Sequence, residues 1–304
     1  MTGTAAPDTE SSGVKVLENS PEEDWAIEEI NPSGVRGPGV RGPGLRGHFR
    51  SAIFDFDGTI SLIREGWQGI MIPYFTAELA ACPGAARIPP GLLEEEVRNF
   101  IYVNTGKQTI YQCIELAERV KKLGGRARGA LEYKKEYHRR LSRRIAGRIA
   151  ELRENPGAAE KYLVPGSLAI LGALKERGLP LYLASGTDEV YVTQEARLLG
   201  VEGYFDGIYG ARDNYKSFSK KMLIRRIISG RGLRGEELLG FGDGYVEIEN
   251  IKSAGGFACG LATDERRRRG VDRWKRNRLE ASGADIIIPD FTGAGKLMDY
   301  LFPP

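Results

Sequence analysis

Soft metal ligands are scarce in this chain: three cysteines and two histidines among 304 residues. Cys82, Cys113 and Cys259 are odd in number, far apart and without a C-x-x-C pair. That excludes a disulfide framework and a thiolate zinc site, and leaves each to pack as a small apolar side chain. With only His48 and His138 a histidine-built metal centre is excluded too, and a catalytic acid or base is expected to be a carboxylate. No apolar run approaches the roughly 18 residues of a membrane span. The N-terminus lacks the basic-then-apolar order of a signal peptide, so a reducing cytoplasm is the expected location. Charge of one sign is also lacking: Lys and Arg total 44 against 41 Asp and Glu, a formal +3, too balanced to make nucleic acid the default partner.

What is present changes in character along the chain. Residues 1–47 are rich in Glu, Ser, Pro and Gly and hold a short repeat, "VRGPGVRGPGLRG", with Arg36, Arg41 and Arg46 spaced at five. Such a segment cannot bury enough apolar surface to offset its ordering entropy, and it reads as a flexible tail. From Phe49 the run "FRSAIFDFDG" reads as a buried strand ending in a turn. About a hundred residues of helical spacing follow, with Val97, Phe100 and Ile101, then Ile110, Ile114 and Ala117, then Tyr137, Leu141 and Ile145. After Pro165-Gly166, strands and helices alternate: strands are expected at "LPLYLAS", near Phe205–Tyr209, and at "ELLGFGD", "FACGLAT" and "ADIIIPD". The alternation predicts an α/β fold, a parallel sheet covered by helices on both faces, into which the helical block is inserted. The expected division is a tail over 1–47, a core over 48–63 and 160–304, and a helical cap over 64–159.

In an open α/β sheet, ligands bind beyond the carboxyl ends of the strands. Three polar clusters fall at such ends: Asp55 and Asp57, Ser185-Gly186-Thr187, and Asp243 with Glu247. Three carboxylates meeting at one edge are costly unless a cation pairs them, and Lys220 opens the helix before the third cluster, after a possible N-cap, Ser219. Lys216 and Lys221 are its neighbours in sequence.

"DFDGT", "LYLASGT", "SKK" and "FGDGYVE", in that order and at strand ends, resemble the motifs of the haloacid dehalogenase superfamily, in particular its phosphatase branch with a helical cap after the first motif, the phosphoglycolate phosphatase and β-phosphoglucomutase type. The resemblance spans about residues 50–290 and implies a Rossmann-like three-layer core. It further implies Asp55 as nucleophile, Asp57 as acid and base, Lys220 as charge-neutralising cation, and Ser185 with the amides of Gly186 and Thr187 as the phosphate grip. Magnesium is the implied cofactor, held through Asp55, Asp57 and Asp243, with Glu247 standing where the family usually has aspartate and Glu249 nearby.

The implied activity is hydrolysis of a small phosphomonoester, a sugar phosphate or a phosphoglycolate-like acid. A phosphomutase would keep the same motifs, and a non-catalytic polyanion- or protein-binding scaffold would not need all four charged residues. Substrate choice is expected from "SLIREGW", with Arg64 and Trp67, and from "TGKQTIYQ", with Lys107, Gln108, Tyr111 and Gln112. The dense basic run "DERRRRGVDRWKRNR", residues 264–278, reads as a salt-bridged exposed helix, as does "HRRLSRRIAGRIAELR" over 138–153.

Overall fold

A computed structural model describes residues 15–17, 25–30 and 46–304. Its strands and helices follow one another as β1 (Lys15–Leu17), β2 (Ile27–Glu29), β3 (Ser51–Phe54), four helices α1 (Gln68–Ala80), α2 (Pro90–Val103), α3 (Thr109–Lys122) and α4 (Ala130–Glu154), then α5 (Ser167–Glu176) and β4 (Leu181–Asp188). They continue as α6 (Glu189–Leu198), β5 (Gly207–Ala211), α7 (Lys220–Arg231), β6 (Leu238–Gly242), α8 (Tyr245–Ser253), β7 (Phe257–Leu261), α9 (Arg273–Ala281), β8 (Ile286–Ile288) and α10 (Ala294–Leu301). The sheet order is β1-β2-β8-β7-β6-β3-β4-β5, parallel from β8 to β5.

The strands β3, β6 and β7 are buried at every position, as a parallel sheet packed on both faces requires. Successive residues serve opposite faces. Phe54 packs with Leu171 of α5, Val192 of α6 and Leu297 of α10, whereas Ile53 packs with Ile224 of α7, Ile248 of α8 and Leu279 of α9. The result is a Rossmann-like three-layer core. Helices α1–α4 pack on one another as a helical cap in the connection between β3 and β4. On α3 the inward face includes the expected Ile110 and Ala117 and is widened by Cys113, Leu116 and Val120, while Ile114 is half-buried at its edge.

Chain order reverses at β3: β4 and β5 extend the sheet to one side, β6 to β8 to the other. Such a switch point opens a crevice at the strand ends. Its register is pinned where Phe54 stacks on Phe241, ring centroids 4.5 Å apart, and the Asp55 amide donates to the Phe241 carbonyl at 2.9 Å.

The tail is not flexible throughout. Ile27–Glu29 pairs antiparallel with β8, and Trp25 is buried with its indole N–H donating to the Asp290 carbonyl at 2.9 Å. These residues build no core of their own; they add to one that exists, and the Trp25 ring fills the space a side chain at Gly293 would need. Arg46 stacks on Tyr300 at 4.6 Å, while Arg36 and Arg41 lie outside the described residues.

Candidate active site

The three polar clusters meet at the crevice. Asp55, Asp57, Ser185, Gly186, Thr187, Lys220 and Asp243 line one pocket between core and cap. Asp55 follows β3 directly, and one of its carboxylate oxygens accepts from Lys220 Nζ at 2.6 Å. Lys220 reaches it because Ser219 caps α7, accepting from the Met222 amide at 3.1 Å, which points the first helical side chain at the strand end. Glu247, behind the pocket wall, takes the other side of the ammonium, while Glu249 is exposed. Burial pushes the Asp55 carboxyl well above the usual range; Lys220 opposes this, and Glu247 and Asp243 add to it. Burial alone would lower Lys220, but the two carboxylates outweigh it and hold its pKa above the ordinary lysine value.

The turn at Gly58, with φ +79, redirects the chain, and a side chain there would meet Asp243 Oδ2 at 2.2 Å. Glycine is required on both counts. Asp57 thereby faces β4, accepting from Thr187 Oγ1 at 2.8 Å and Ser185 Oγ at 3.2 Å, while its other oxygen is buried without a hydrogen bond. The Thr187 amide donates to Ser185 Oγ at 3.0 Å, so that Thr187 reaches Asp57 both directly through its hydroxyl and through Ser185. Arg64 lines the pocket and is held there by Glu195 of α6, donating from Nη2 at 2.7 Å and from Nε at 3.1 Å. Its Nε lies 3.8 Å from Asp57.

Sequence reasoning missed two residues here. Lys275 and Glu265, inside the run read as an exposed helix, line the pocket. Lys275 Nζ donates to Asp243 Oδ2 at 2.8 Å and to Glu265 Oε1 at 2.5 Å. The run fails as a uniformly solvated face because Asp272 caps α9, accepting from the Lys275 amide at 3.0 Å, and places Lys275 one turn from the fully buried Leu279. That i, i+4 pairing was the signal available in the sequence. Arg276 does behave as read, bridging Glu28 and Glu280.

Of the residues singled out for substrate choice, Arg64, Trp67, Lys107 and Gln112 line the pocket, whereas Gln108 and Tyr111 lie outside its lining. Gln108 is buried, donating to the Phe218 carbonyl at 2.7 Å and so tying cap to core. Tyr111 stands edge-on to Tyr215. The loop before α3 approaches so closely that a side chain at Gly186 would meet the Lys107 carbonyl at 2.8 Å.

The donor chemistry fits a hard divalent cation. Asp55 and Asp243 offer only oxygen, their charges repel across the turn, and a Glu247 oxygen is buried without a hydrogen bond. Among the described residues no group of three or more His, Cys, Asp or Glu side chains is placed to hold a metal ion, so protein carboxylates alone would not complete its coordination. Magnesium suits such a site, because it binds through one or two carboxylates and keeps several waters.

The family model for haloacid dehalogenase-like hydrolases matches residues 49–255. A 5'-nucleotidase of Pseudomonas aeruginosa is 31% identical over 34% of this chain and 46% of its own length. A phosphoglycolate phosphatase of Escherichia coli strain K12 is 29% identical over 40% of this chain and 46% of its own. The chain thus spans just under half the length of these curated relatives. A solved β-phosphoglucomutase of Clostridium difficile superposes with a TM-score of 0.56 at 13% identity, over 83% of this chain and 97% of that one, which establishes likeness of fold.

Proposed function

This chain belongs to the haloacid dehalogenase-like hydrolases, and on that premise we propose that it is a magnesium-dependent phosphatase that hydrolyses a small phosphomonoester through an aspartyl-phosphate intermediate. The observation that carries this reading is the Asp55–Lys220 pair at 2.6 Å, set at the switch-point crevice with Asp57 hydrogen-bonded beside it.

Asp55 attacks phosphorus; the Asp55 O–P bond forms as the bond from phosphorus to the leaving oxygen breaks. Asp57, held by Thr187 and Ser185, gives its proton to the leaving alkoxide. It then takes a proton from the water that attacks phosphorus, and the Asp55 O–P bond breaks to release phosphate and the free carboxylate. Lys220 and the Ser185 hydroxyl offset charge on the phosphoryl oxygens, with Gly186 in the pocket wall beside them. Magnesium, when bound by Asp55, the Asp57 backbone and Asp243 with Glu247 behind, supplies charge neutralisation between the nucleophile and the phosphate. The division into a core of 48–63 and 160–304 and a cap of 64–159 is part of this proposal, since it places the substrate between the two. A small phosphorylated metabolite is the substrate class. Among the described residues no helix is long and apolar enough to cross a membrane.

The test is phosphate release from a panel of small phosphomonoesters with magnesium and with chelator, for wild type and Asp55→Asn. Release that needs magnesium and disappears in the variant supports the reading. Undiminished release in Asp55→Asn removes Asp55 from the chemistry, and isomerised sugar phosphate without net release assigns a mutase.

A further inference from the structure

Five cationic side chains line the pocket: Arg64, Lys107, Lys220, Lys275 and Arg278. Three are neutralised by carboxylates, Arg64 by Glu195, Lys220 by Asp55 and Glu247, and Lys275 by Asp243 and Glu265. Among the described residues the other two meet only neutral partners within hydrogen-bonding reach. Lys107 Nζ donates to the Asn104 side-chain carbonyl at 3.0 Å, and Arg278 Nη1 donates to the Tyr102 carbonyl at 2.9 Å. We infer that the pocket holds a subsite for a second anionic group on the substrate, with Arg278 as its principal ligand and Lys107, which lines the same pocket from the cap, as a second cation; this rests on the phosphatase reading above.

Arg278 is built for such a role rather than left over on the surface. Its guanidinium lies over the rings of Trp274 and Tyr245, 4.6 Å from each centroid, so two aromatic faces fix its plane. Among the described residues its hydrogen bonding uses one of five N–H donors. A planar fork held in place is suited to a carboxylate or a phosphate. Burial also pushes its pKa down, outweighing Tyr245 and the more distant acids, so a bound anion would stabilise its charge. On α9, Arg278 is one turn beyond Lys275, which touches Asp243. Sequence inspection passes over Arg278 because it is one of many arginines in a basic run, and only the fold separates it from Arg276, which is spent on Glu28 and Glu280.

The experiment is calorimetric titration, with magnesium, of propylphosphonate, its ω-carboxylated counterpart and its ω-phosphonylated counterpart into wild type, Arg278→Met and Arg278→Lys, alongside turnover of the matching phosphate esters. Wild type should bind at least one doubly anionic analogue about 10- to 100-fold more tightly than propylphosphonate. Whichever of the two is preferred identifies the second group as carboxylate or phosphate. In Arg278→Met the preference should shrink to within about threefold, and Arg278→Lys, which keeps the charge without the fork, should retain part of it. Absence of preference in wild type, or of any binding, overturns the inference. So does weakening of all three analogues by the same factor in Arg278→Met, the signature of an arginine that merely holds the cap through Tyr102. Preference without turnover would leave the subsite standing and remove the phosphatase reading, and turnover without preference would do the reverse.

Discussion

Two lysines at the sheet edge look alike locally. Lys220 sits between Asp55 and Glu247, Lys275 between Asp243 and Glu265, and in both the paired acids hold the ammonium pKa above its ordinary value against the pull of burial. They differ in what they touch. Lys220 is bonded to the carboxylate that attacks phosphorus in the proposed reaction, whereas Lys275 is bonded to one whose proposed role is to hold the metal alone. The same local chemistry can therefore serve the reacting group on one side of a crevice and its support on the other, and the neighbour decides which.

The largest expected effect removes what Lys220 serves. Asp55→Asn keeps the shape of the side chain and should reduce phosphate release to background with an unchanged circular-dichroism spectrum. Next, Lys220→Met should lower kcat by about three orders of magnitude, and Lys275→Met by about one order or less, because it acts through Asp243; equal losses would break the comparison. A stability measurement then sharpens it. Lys220→Met strands two buried carboxylates, at a cost of about 3–5 kcal/mol by chemical denaturation, and Lys275→Met strands two half-buried ones and should cost less. On the proposed metal site each variant frees one ligand, Asp55 or Asp243, so added magnesium should restore part of the loss in both.

The smallest effect comes from a buried base with no acid beside it. His138 stacks on Tyr191 of α6 at 5.1 Å; burial, aided by Arg64 and Lys134, pushes its pKa down from 6.5 to about 3. The folded chain keeps it neutral while the unfolded chain binds a proton, so stability present above about pH 6.5 is lost as pH falls toward 3. The lysines are opposite in sign: their contribution is complete below their ordinary value of 10.5 and is lost only as pH rises past it. Denaturation midpoints between pH 4 and 7 should thus vary less in His138→Phe than in wild type, a comparison that isolates this histidine from the carboxylates titrating in the same range.

Legibility followed the same division. The Asp55, Ser185, Lys220 and Asp243 segments each sit at a strand end or helix start that turn and cap chemistry marks in the sequence, and Lys220 rather than Lys216 or Lys221 is the lysine placed against Asp55. Trp25 and Ile27 were hidden because a segment poor in apolar residues shows no core of its own, although it can complete another. The ion pair of Arg64 was hidden because its partner, Glu195, is 131 residues away.

By itself the sequence determined the alternation of strands and helices, the inserted helical block, and which carboxylates arrive at strand ends, because these depend on periodicity and on turns that are local. Only the tertiary structure decided how the charges pair: that Arg64 is spent on Glu195, that Lys275 guards Asp243, and that Arg278 meets no carboxylate. Pairing depends on distances across the crevice between elements far apart in the chain, and one basic residue in a run is indistinguishable from the next until the helix is docked.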